Sequence, residues 1–109
     1  MHELAIIEGV VDTVTERLGD APISSVRLEI GALSGVVDDS LQFCFELATE
    51  GTSLQGASLE ITHIAGRCRC RACGSEFSPD GLILLCRCGS ADAEVLSGQE
   101  LSIASVKVA

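Results

Sequence analysis

The sequence predicts an α+β fold in which two helices pack on a three-stranded sheet, with a cysteine-rich segment inserted between two strands. Near residues 3–18 and 38–48, apolar side chains recur at three- and four-residue steps, which is the period of an amphipathic helix. Near residues 26–30 and 59–62 they alternate with polar ones, as in half-buried strands. Five of the six cysteines fall between residues 68 and 88. These observations together define the fold class.

Each predicted element has a local signature. The first helix has Glu3 in its first turn, where the negative carboxylate interacts favourably with the positive end of the helix dipole. The helix is predicted to end at Gly19. In the second helix Asp39 and Gln42 have the spacing of a capping box. Cys44 lies in the middle of that helix, where we expect a small core residue rather than a metal ligand. The apolar positions are Leu4, Ile7, Val11, Val14 and Leu18 in the first helix, Leu41, Phe43, Phe45, Leu47 and Ala48 in the second, Val26, Leu28, Ile30, Leu59 and Ile61 in two strands, and Leu101, Ile103, Val106 and Val108 in the last strand.

Composition limits the possible partners and compartments. The chain has 109 residues, 47% hydrophobic and only 3% aromatic, so we expect one small core of aliphatic side chains. The net charge of −9 opposes nucleic-acid binding, which depends on neutralising phosphates. No apolar run is long enough to cross a membrane, and the start of the chain does not have the pattern of a signal peptide. We therefore expect a cytoplasmic protein.

The cysteine-rich segment has the spacing of a metal site. Cys70 and Cys73 are separated by two residues, so one turn can offer two thiolates to a tetrahedral ion. Cys86 and Cys88 follow after twelve further residues, enough for a hairpin. A glycine after each pair takes positive φ at little steric cost, which lets backbone amides turn toward the sulfur. We predict that these four cysteines bind one Zn(II) in a structural role, because four thiolates leave no open position for chemistry.

The second cysteine pair is irregular. Only Arg87 separates Cys86 from Cys88, whereas a zinc ribbon normally has two residues between its cysteines. A one-residue spacer still allows two thiolates on one ion, in a more strained turn. Two alternatives therefore stay open: Cys68 is a spare thiolate that can replace a poorly placed one, and His63 can become a ligand if the short turn fails. The ordinary role of His63 is that of a solvated or hydrogen-bonded histidine at a strand end.

The N-terminus contains a second candidate metal site. The terminal amine of Met1, the amide nitrogen of His2 and the His2 imidazole can form fused chelate rings around one ion. The next amide, or the Glu3 carboxylate, completes a plane. Square-planar coordination by nitrogen suits Ni(II) or Cu(II) better than Zn(II). A histidine at position 2 is by itself a weak signal, so this site depends on its context.

That context is a resemblance covering essentially the whole chain. The chain resembles the HypA/HybF family of hydrogenase nickel-incorporation proteins, in the family's order from end to end. The similar segments are Met1-His2-Glu3-Leu4, Leu28-Glu29-Ile30-Gly31-Ala32-Leu33-Ser34, Leu41-Gln42-Phe43-Cys44-Phe45-Glu46, Cys68-Arg69-Cys70-Arg71-Ala72-Cys73, Cys86-Arg87-Cys88-Gly89-Ser90 and Gly98-Gln99-Glu100-Leu101.

The resemblance implies a protein of two parts. Residues 1–65 with 94–109 would form an α/β domain that binds Ni(II), and residues 66–93 a zinc-binding domain. His2 would be the principal nickel ligand, with the Met1 amine and the Glu3 backbone beside it. The zinc ligands would be Cys70 and Cys73 as the first pair and Cys86 and Cys88 as the second, where the family usually has Cys-Pro-x-Cys.

The resemblance also implies a function. Family members deliver nickel to the large subunit of [NiFe]-hydrogenase together with a GTPase accessory protein, and some serve urease. We therefore expect a nickel metallochaperone rather than an enzyme, with no nucleic-acid or membrane partner. The main alternative is a structural zinc-ribbon adaptor without nickel transfer. It accounts for the same sequence features, but its function would not depend on His2. A zinc-ribbon nucleic-acid module, a rubredoxin-like iron protein and an enzyme fit the sequence less well.

Overall fold

The computed structural model describes residues 2–109. Within them it has two helices and two three-stranded sheets, with strand orders β2-β1-β6 and β4-β3-β5. The elements are α1 (Glu3–Leu18), β1 (Ile23–Gly31), α2 (Asp38–Ala48), β2 (Ser58–Ile64), β3 (Arg67–Cys70), β4 (Glu76–Phe77), β5 (Ala93–Ser97) and β6 (Leu101–Val108). The predicted α+β fold, with two helices and an inserted cysteine-rich part, is confirmed. Neither helix is long and apolar enough to cross a membrane, as judged over residues 2–109.

The chain divides into two compact units. The first, here called the helical unit, comprises the residues up to Leu28 together with Val36–Thr62 and Ser102–Ala109. The second, the cysteine unit, comprises Glu29–Gly35 and His63–Leu101. The functional division at residues 66 and 93 stays a prediction.

The helical unit is built around aliphatic side chains. Helix α1 packs against α2. It buries Ile7, Val11 and Val14 as its periodicity predicts, and also Val10, whereas Leu4 and Leu18 of the predicted face are 47% and 38% exposed. At its C-terminus Gly19 adopts φ 60°, and its amide donates to the carbonyl of Thr15 at 2.9 Å. The other buried hydrophobic side chains of this unit are Ile23, Val26, Leu28, Leu41, Phe45, Leu54 and Leu59.

The start of α2 differs from the prediction, because the capping box of Asp39 and Gln42 does not form. The N-cap residue is Val37, and no side chain caps it. The Gln42 amide instead donates to the carbonyl of Leu59 at 2.9 Å. The Val37 N–H donates to the Glu3 carboxylate at 3.3 Å. Hydrogen bonds to residues distant in the chain therefore form in place of the capping box that the local spacing predicted.

The cysteine-rich segment has a sheet of its own, β4-β3-β5, where the sequence predicted only a hairpin between the two cysteine pairs. Strand β3 pairs antiparallel with both β4 and β5. Its arginines are exposed and its cysteines are buried. Cys68 is opposite Phe77 on one side and Val95 on the other. The alternation in Arg67-Cys68-Arg69-Cys70 was attributed to the metal site alone, and β4, with two residues, is too short for its periodicity to indicate a strand.

Candidate metal centres

Four cysteines of the cysteine unit converge on one point. The sulfur atoms of Cys70, Cys73, Cys86 and Cys88 all lie within 4.8 Å of one another. The Cys70 and Cys88 sulfurs are 3.6 Å apart, as are those of Cys73 and Cys86. Sulfurs bound tetrahedrally to zinc at about 2.3 Å lie about 3.8 Å from each other, so this arrangement fits a Zn(II) ion.

The first cysteine pair lies in a tight turn, here called the first knuckle (Cys70–Ser75). The amide of Cys70 donates to the carbonyl of Ser75 at 2.8 Å. The amide of Gly74 donates back to the Cys70 carbonyl at 2.8 Å, and Gly74 adopts φ 78°. Positive φ reverses the chain within the turn, as the sequence predicted for this glycine. The backbone is thus fixed before any ion is considered.

The second cysteine pair forms a shorter copy of the same turn, here called the second knuckle (Cys86–Ser90). The amide of Cys86 donates to the carbonyl of Ser90 at 2.9 Å. The amide of Gly89 donates to the Cys86 carbonyl at 2.9 Å, with φ 95° at Gly89. Both backbone bonds of the first knuckle therefore recur, with one residue fewer between the cysteines. The serine after each glycine is a part of the site that the sequence analysis missed, although the repeated Cys-Gly-Ser could have shown it.

Hydrogen bonds from backbone amides and between the sulfurs shift the pKa values of three thiols in the cluster. The backbone amide and the hydroxyl of Ser75, with the neighbouring sulfurs, lower the pKa of the Cys73 thiol to about 6. The backbone amide of Cys73 is the main cause that lowers the pKa of the Cys70 thiol. At Cys88 the Ser90 amide also lowers the pKa, but hydrogen bonds with the other sulfurs outweigh it and raise the pKa to about 11. Cys70 and Cys73 therefore ionise more readily than a free thiol, whereas Cys88 must lose its proton when a cation binds.

The two alternative ligands, Cys68 and His63, lie outside the cluster, as does Cys44. Cys68 is fully buried on β3 as a core residue of the small sheet, and it does not belong to the four-sulfur group. His63 is exposed on β2, and Cys44 is half-buried on α2. The structure therefore favours the Cys86–Arg87–Cys88 arrangement over replacement by Cys68 or His63.

Arginines of the cysteine unit pair with carboxylates of the same unit. Arg69 lies 3.5 Å from Glu76 and 3.8 Å from Glu94, which belong to the strands on either side of β3. Arg71 pairs with Asp92 at 2.9 Å. All of these side chains are about half exposed, so each pair contributes at most about 1 kcal/mol. Their main effect is to balance charge across the sheet.

The predicted N-terminal site is described from His2 onward, and Met1 lies outside the described residues. His2 occupies the N-cap position of α1, with φ −93° and ψ 83°. Its side chain is exposed and makes no capping hydrogen bond. The Glu3 carboxylate is engaged by the Val37 amide. The first N–H groups of a helix have no partner within the helix, so the backbone nitrogen of Glu3 is not needed for the helix ladder.

Comparison with known proteins identifies the family. The family model for hydrogenase/urease nickel incorporation, metallochaperone, hypA, matches residues 1–108. The chain belongs to the HypA family. The resemblance seen in the sequence is thereby confirmed. The family consists of nickel-incorporation metallochaperones and maturation factors, so the prediction that this chain is not an enzyme is confirmed as well.

Several curated HypA proteins match over nearly the whole chain. The hydrogenase maturation factor HypA of Nostoc punctiforme is 43% identical over 108 residues, which cover 99% of this chain and 96% of the relative. The HypA of Geotalea daltonii is 43% identical over 109 residues, which cover 99% of each. The HypA of Streptomyces avermitilis is 47% identical over 113 residues, which cover 97% of this chain and 86% of the relative.

Two solution structures share the fold. One, of a HypA protein, has a TM-score of 0.67 at 22% identity and covers 100% of this chain and 97% of that chain. The other, of the Ni metallochaperone HypA from Helicobacter pylori, has a TM-score of 0.65 at 21% identity and covers 99% of this chain and 97% of that chain. At these identities the likeness concerns the fold alone. It agrees with the two helices and the α+β fold described above.

Proposed function

We propose that this chain is a cytoplasmic nickel metallochaperone that binds Ni(II) at its N-terminus and inserts it into [NiFe]-hydrogenase during maturation. The main support is His2, whose exposed imidazole stands at the N-cap of α1 without a capping hydrogen bond. An imidazole that has no structural role there is available for a cargo ion. Six free cysteines favour a reducing compartment, since disulfides form in oxidising ones.

The proposed nickel ligands are the Met1 amine, the amide nitrogen and imidazole of His2, and the backbone of Glu3. Four nitrogens in one plane suit Ni(II). The Glu3 carboxylate already accepts a hydrogen bond from the Val37 amide, which favours the Glu3 backbone nitrogen as the ligand. The positive end of the helix dipole stabilises the negative charge that a deprotonated amide carries. Glu3 would then act chiefly by holding the first turn in place.

Transfer of the ion follows from where the site lies. A terminal site on the surface binds and releases an ion quickly, and a planar site leaves two faces open to a partner's ligands. Nickel can therefore pass by stepwise ligand exchange without leaving the protein complex. We propose the large subunit of [NiFe]-hydrogenase as recipient, with a GTPase accessory protein taking part and urease machinery as a second recipient.

The four cysteines are proposed to bind a structural Zn(II). Cys70, Cys73, Cys86 and Cys88 supply all four positions of a tetrahedral site, which leaves none open for a substrate. When bound, the ion would join the two knuckles, which are otherwise linked by residues 76–85, none of them buried. The zinc would thus stabilise the cysteine unit and take no part in nickel chemistry.

The deciding experiment is a metal titration of the untagged chain with its native N-terminus. Bound nickel and zinc are measured separately for the wild type, for His2→Ala and for His63→Ala. His63 is the matched control, because it is the other histidine of the chain and is also exposed. We expect His2→Ala to lose nickel and keep zinc, and His63→Ala to keep both. If His2→Ala binds nickel as the wild type does, the N-terminal site is wrong and the adaptor function replaces it.

A further inference from the structure

An open groove of about 480 Å³ lies along α1 and α2 in the helical unit. Its apolar lining comes from Leu4, Val11, Leu47 and Ala48. Leu4 and Leu47 are 47% and 52% exposed, although both are large aliphatic residues. Phe43 lies one helical turn before Leu47 and is 62% exposed, so it extends the apolar surface of α2. Adjoining exposed apolar side chains mark an interaction site, whereas isolated ones are ordinary.

The groove also carries negative charge. Glu8 and Asp12 line it from α1, one helical turn apart, and both are exposed. Neither forms an ion pair with any of residues 2–109, in contrast to Glu76, Glu94 and Asp92 of the cysteine unit. The groove therefore combines an apolar floor with carboxylates that no cation of the described chain compensates.

We infer that this groove binds a cationic amphipathic helix of a partner protein. Both walls are helices, whose backbone groups are already paired, so recognition depends on side chains rather than on adding a strand. Apolar residues at helical spacing fill the groove between Leu4 and Leu47, and Lys or Arg residues beside them meet Glu8 and Asp12. A second copy of this chain is a poor occupant, since it also carries a charge of −9.

The groove lies close in sequence to the proposed nickel ligands, so a partner bound there would be near the nickel ion. Leu4 follows two residues after His2, so a helix bound there is held next to the proposed nickel ligands. Holding donor and acceptor together makes ligand exchange effectively intramolecular, which accelerates it without any new chemistry. This benefit rests on the proposed function, whereas the binding of the helix does not.

The test uses the full-length zinc-loaded chain and a synthetic helical peptide of leucines and lysines with one apolar face. A peptide in which glutamate replaces every lysine is the charge control. We expect NMR shifts concentrated at amides of α1 and α2 around the groove, and binding that weakens as salt is raised. We expect no binding of the acidic peptide. Failure of the lysine peptide to bind, or equal binding of both peptides, overturns the proposal.

Variants locate the contact. Leu47→Asp should weaken peptide binding by about tenfold or more, because it places a charge in the apolar lining. The double variant Glu8→Lys/Asp12→Lys should weaken it similarly, and raised salt should no longer weaken it, because the new lysines repel those of the peptide and salt screens that repulsion. This variant tests the groove even if Leu47→Asp disturbs folding. Leu82→Asp is the matched control, since Leu82 is 63% exposed but belongs to the cysteine unit. An equal loss of binding in Leu82→Asp contradicts the assignment.

Nickel titration of the same proteins keeps the two proposals apart. Leu47→Asp should keep nickel and lose the peptide, and His2→Ala should lose nickel and keep the peptide. Peptide binding that fails while nickel binding persists overturns the docking groove alone. Peptide binding that persists while the His2 variant retains nickel overturns the N-terminal metal site alone.

Discussion

The amide of Gly89 donates a hydrogen bond to the carbonyl of Cys86, three residues earlier in the chain, at 2.9 Å. In the first knuckle the equivalent bond, from Gly74 to Cys70, spans four residues. The second knuckle is thus shorter by one residue between its two cysteines, while its glycine and serine occupy the same positions relative to the second cysteine as in the first knuckle. The shorter turn therefore still aims two sulfurs at the common centre, and the unusual Cys-x-Cys spacing is compatible with a four-cysteine site.

Replacing Gly89 by alanine should weaken zinc binding. Its φ of 95° is a conformation that an alanine adopts only with strain, at about 1–2 kcal/mol, although a side chain there would meet no neighbouring atom. A loss of zinc affinity in this variant would therefore report backbone strain alone and not a steric clash. The zinc affinity measured by competition with a chelator should fall roughly tenfold. Gly9→Ala is the control, because Gly9 also has open space and lies in α1 without positive φ, and it should leave zinc affinity unchanged.

Gly31→Ala should destabilise the chain for the opposite reason. A Cβ at Gly31 would overlap the carbonyl of Gly98 and approach the amide nitrogen of Gln99 to 2.6 Å. These are backbone atoms that cannot move aside cheaply, so we expect a loss of about 1–3 kcal/mol in the free energy of unfolding. Chemical denaturation of the zinc-loaded protein measures it. An unchanged midpoint would show that the two segments can separate without cost.

Cys68→Ala and Cys70→Ala should separate core packing from metal binding. Cys68 is buried but lies outside the four-sulfur cluster, so its loss should cost on the order of 1 kcal/mol and leave the zinc content intact. Cys70→Ala removes one of the four proposed ligands and should lower zinc content sharply. Elemental analysis after dialysis gives the zinc content, and a thermal melt gives the stability. Loss of zinc in the Cys68 variant would make that thiol a ligand after all.

Zinc binding should release protons and weaken in acid. At pH 7 the metal-free Cys73, with a pKa of about 6, is mainly a thiolate, whereas Cys88, with a pKa of about 11, still holds its proton. Coordination requires thiolates, so the Cys88 proton must leave, and affinity should rise as pH is raised above neutrality. Calorimetric titrations in buffers of different ionisation enthalpy measure the number of protons released. Heats that do not depend on the buffer would contradict this protonation state.

The sequence by itself determined the features that depend on residues close together in the chain. The periodicity of Ile7, Val11 and Val14 defined α1 and its buried face. The glycines after Cys73 and Cys88 indicated the two knuckles, since only neighbouring residues decide whether positive φ is needed. The similar segments along the whole chain were enough to recognise the family. The spacing indicated Cys70, Cys73, Cys86 and Cys88 as metal ligands but left Cys68 and His63 as alternatives.

Only the tertiary structure decided what depends on residues far apart. It brought the Val37 amide to the Glu3 carboxylate and the Gln42 amide to Leu59, which replaced the predicted capping box. It placed Cys68 in the core of a small sheet rather than in the four-sulfur cluster. The groove beside Leu47 likewise exists only because α1 and α2 pack together. Such contacts follow from the packing of the whole chain. Within a short segment, a local hydrogen bond such as the capping box and its alternatives have similar energies, and only the packing of the assembled elements decides between them.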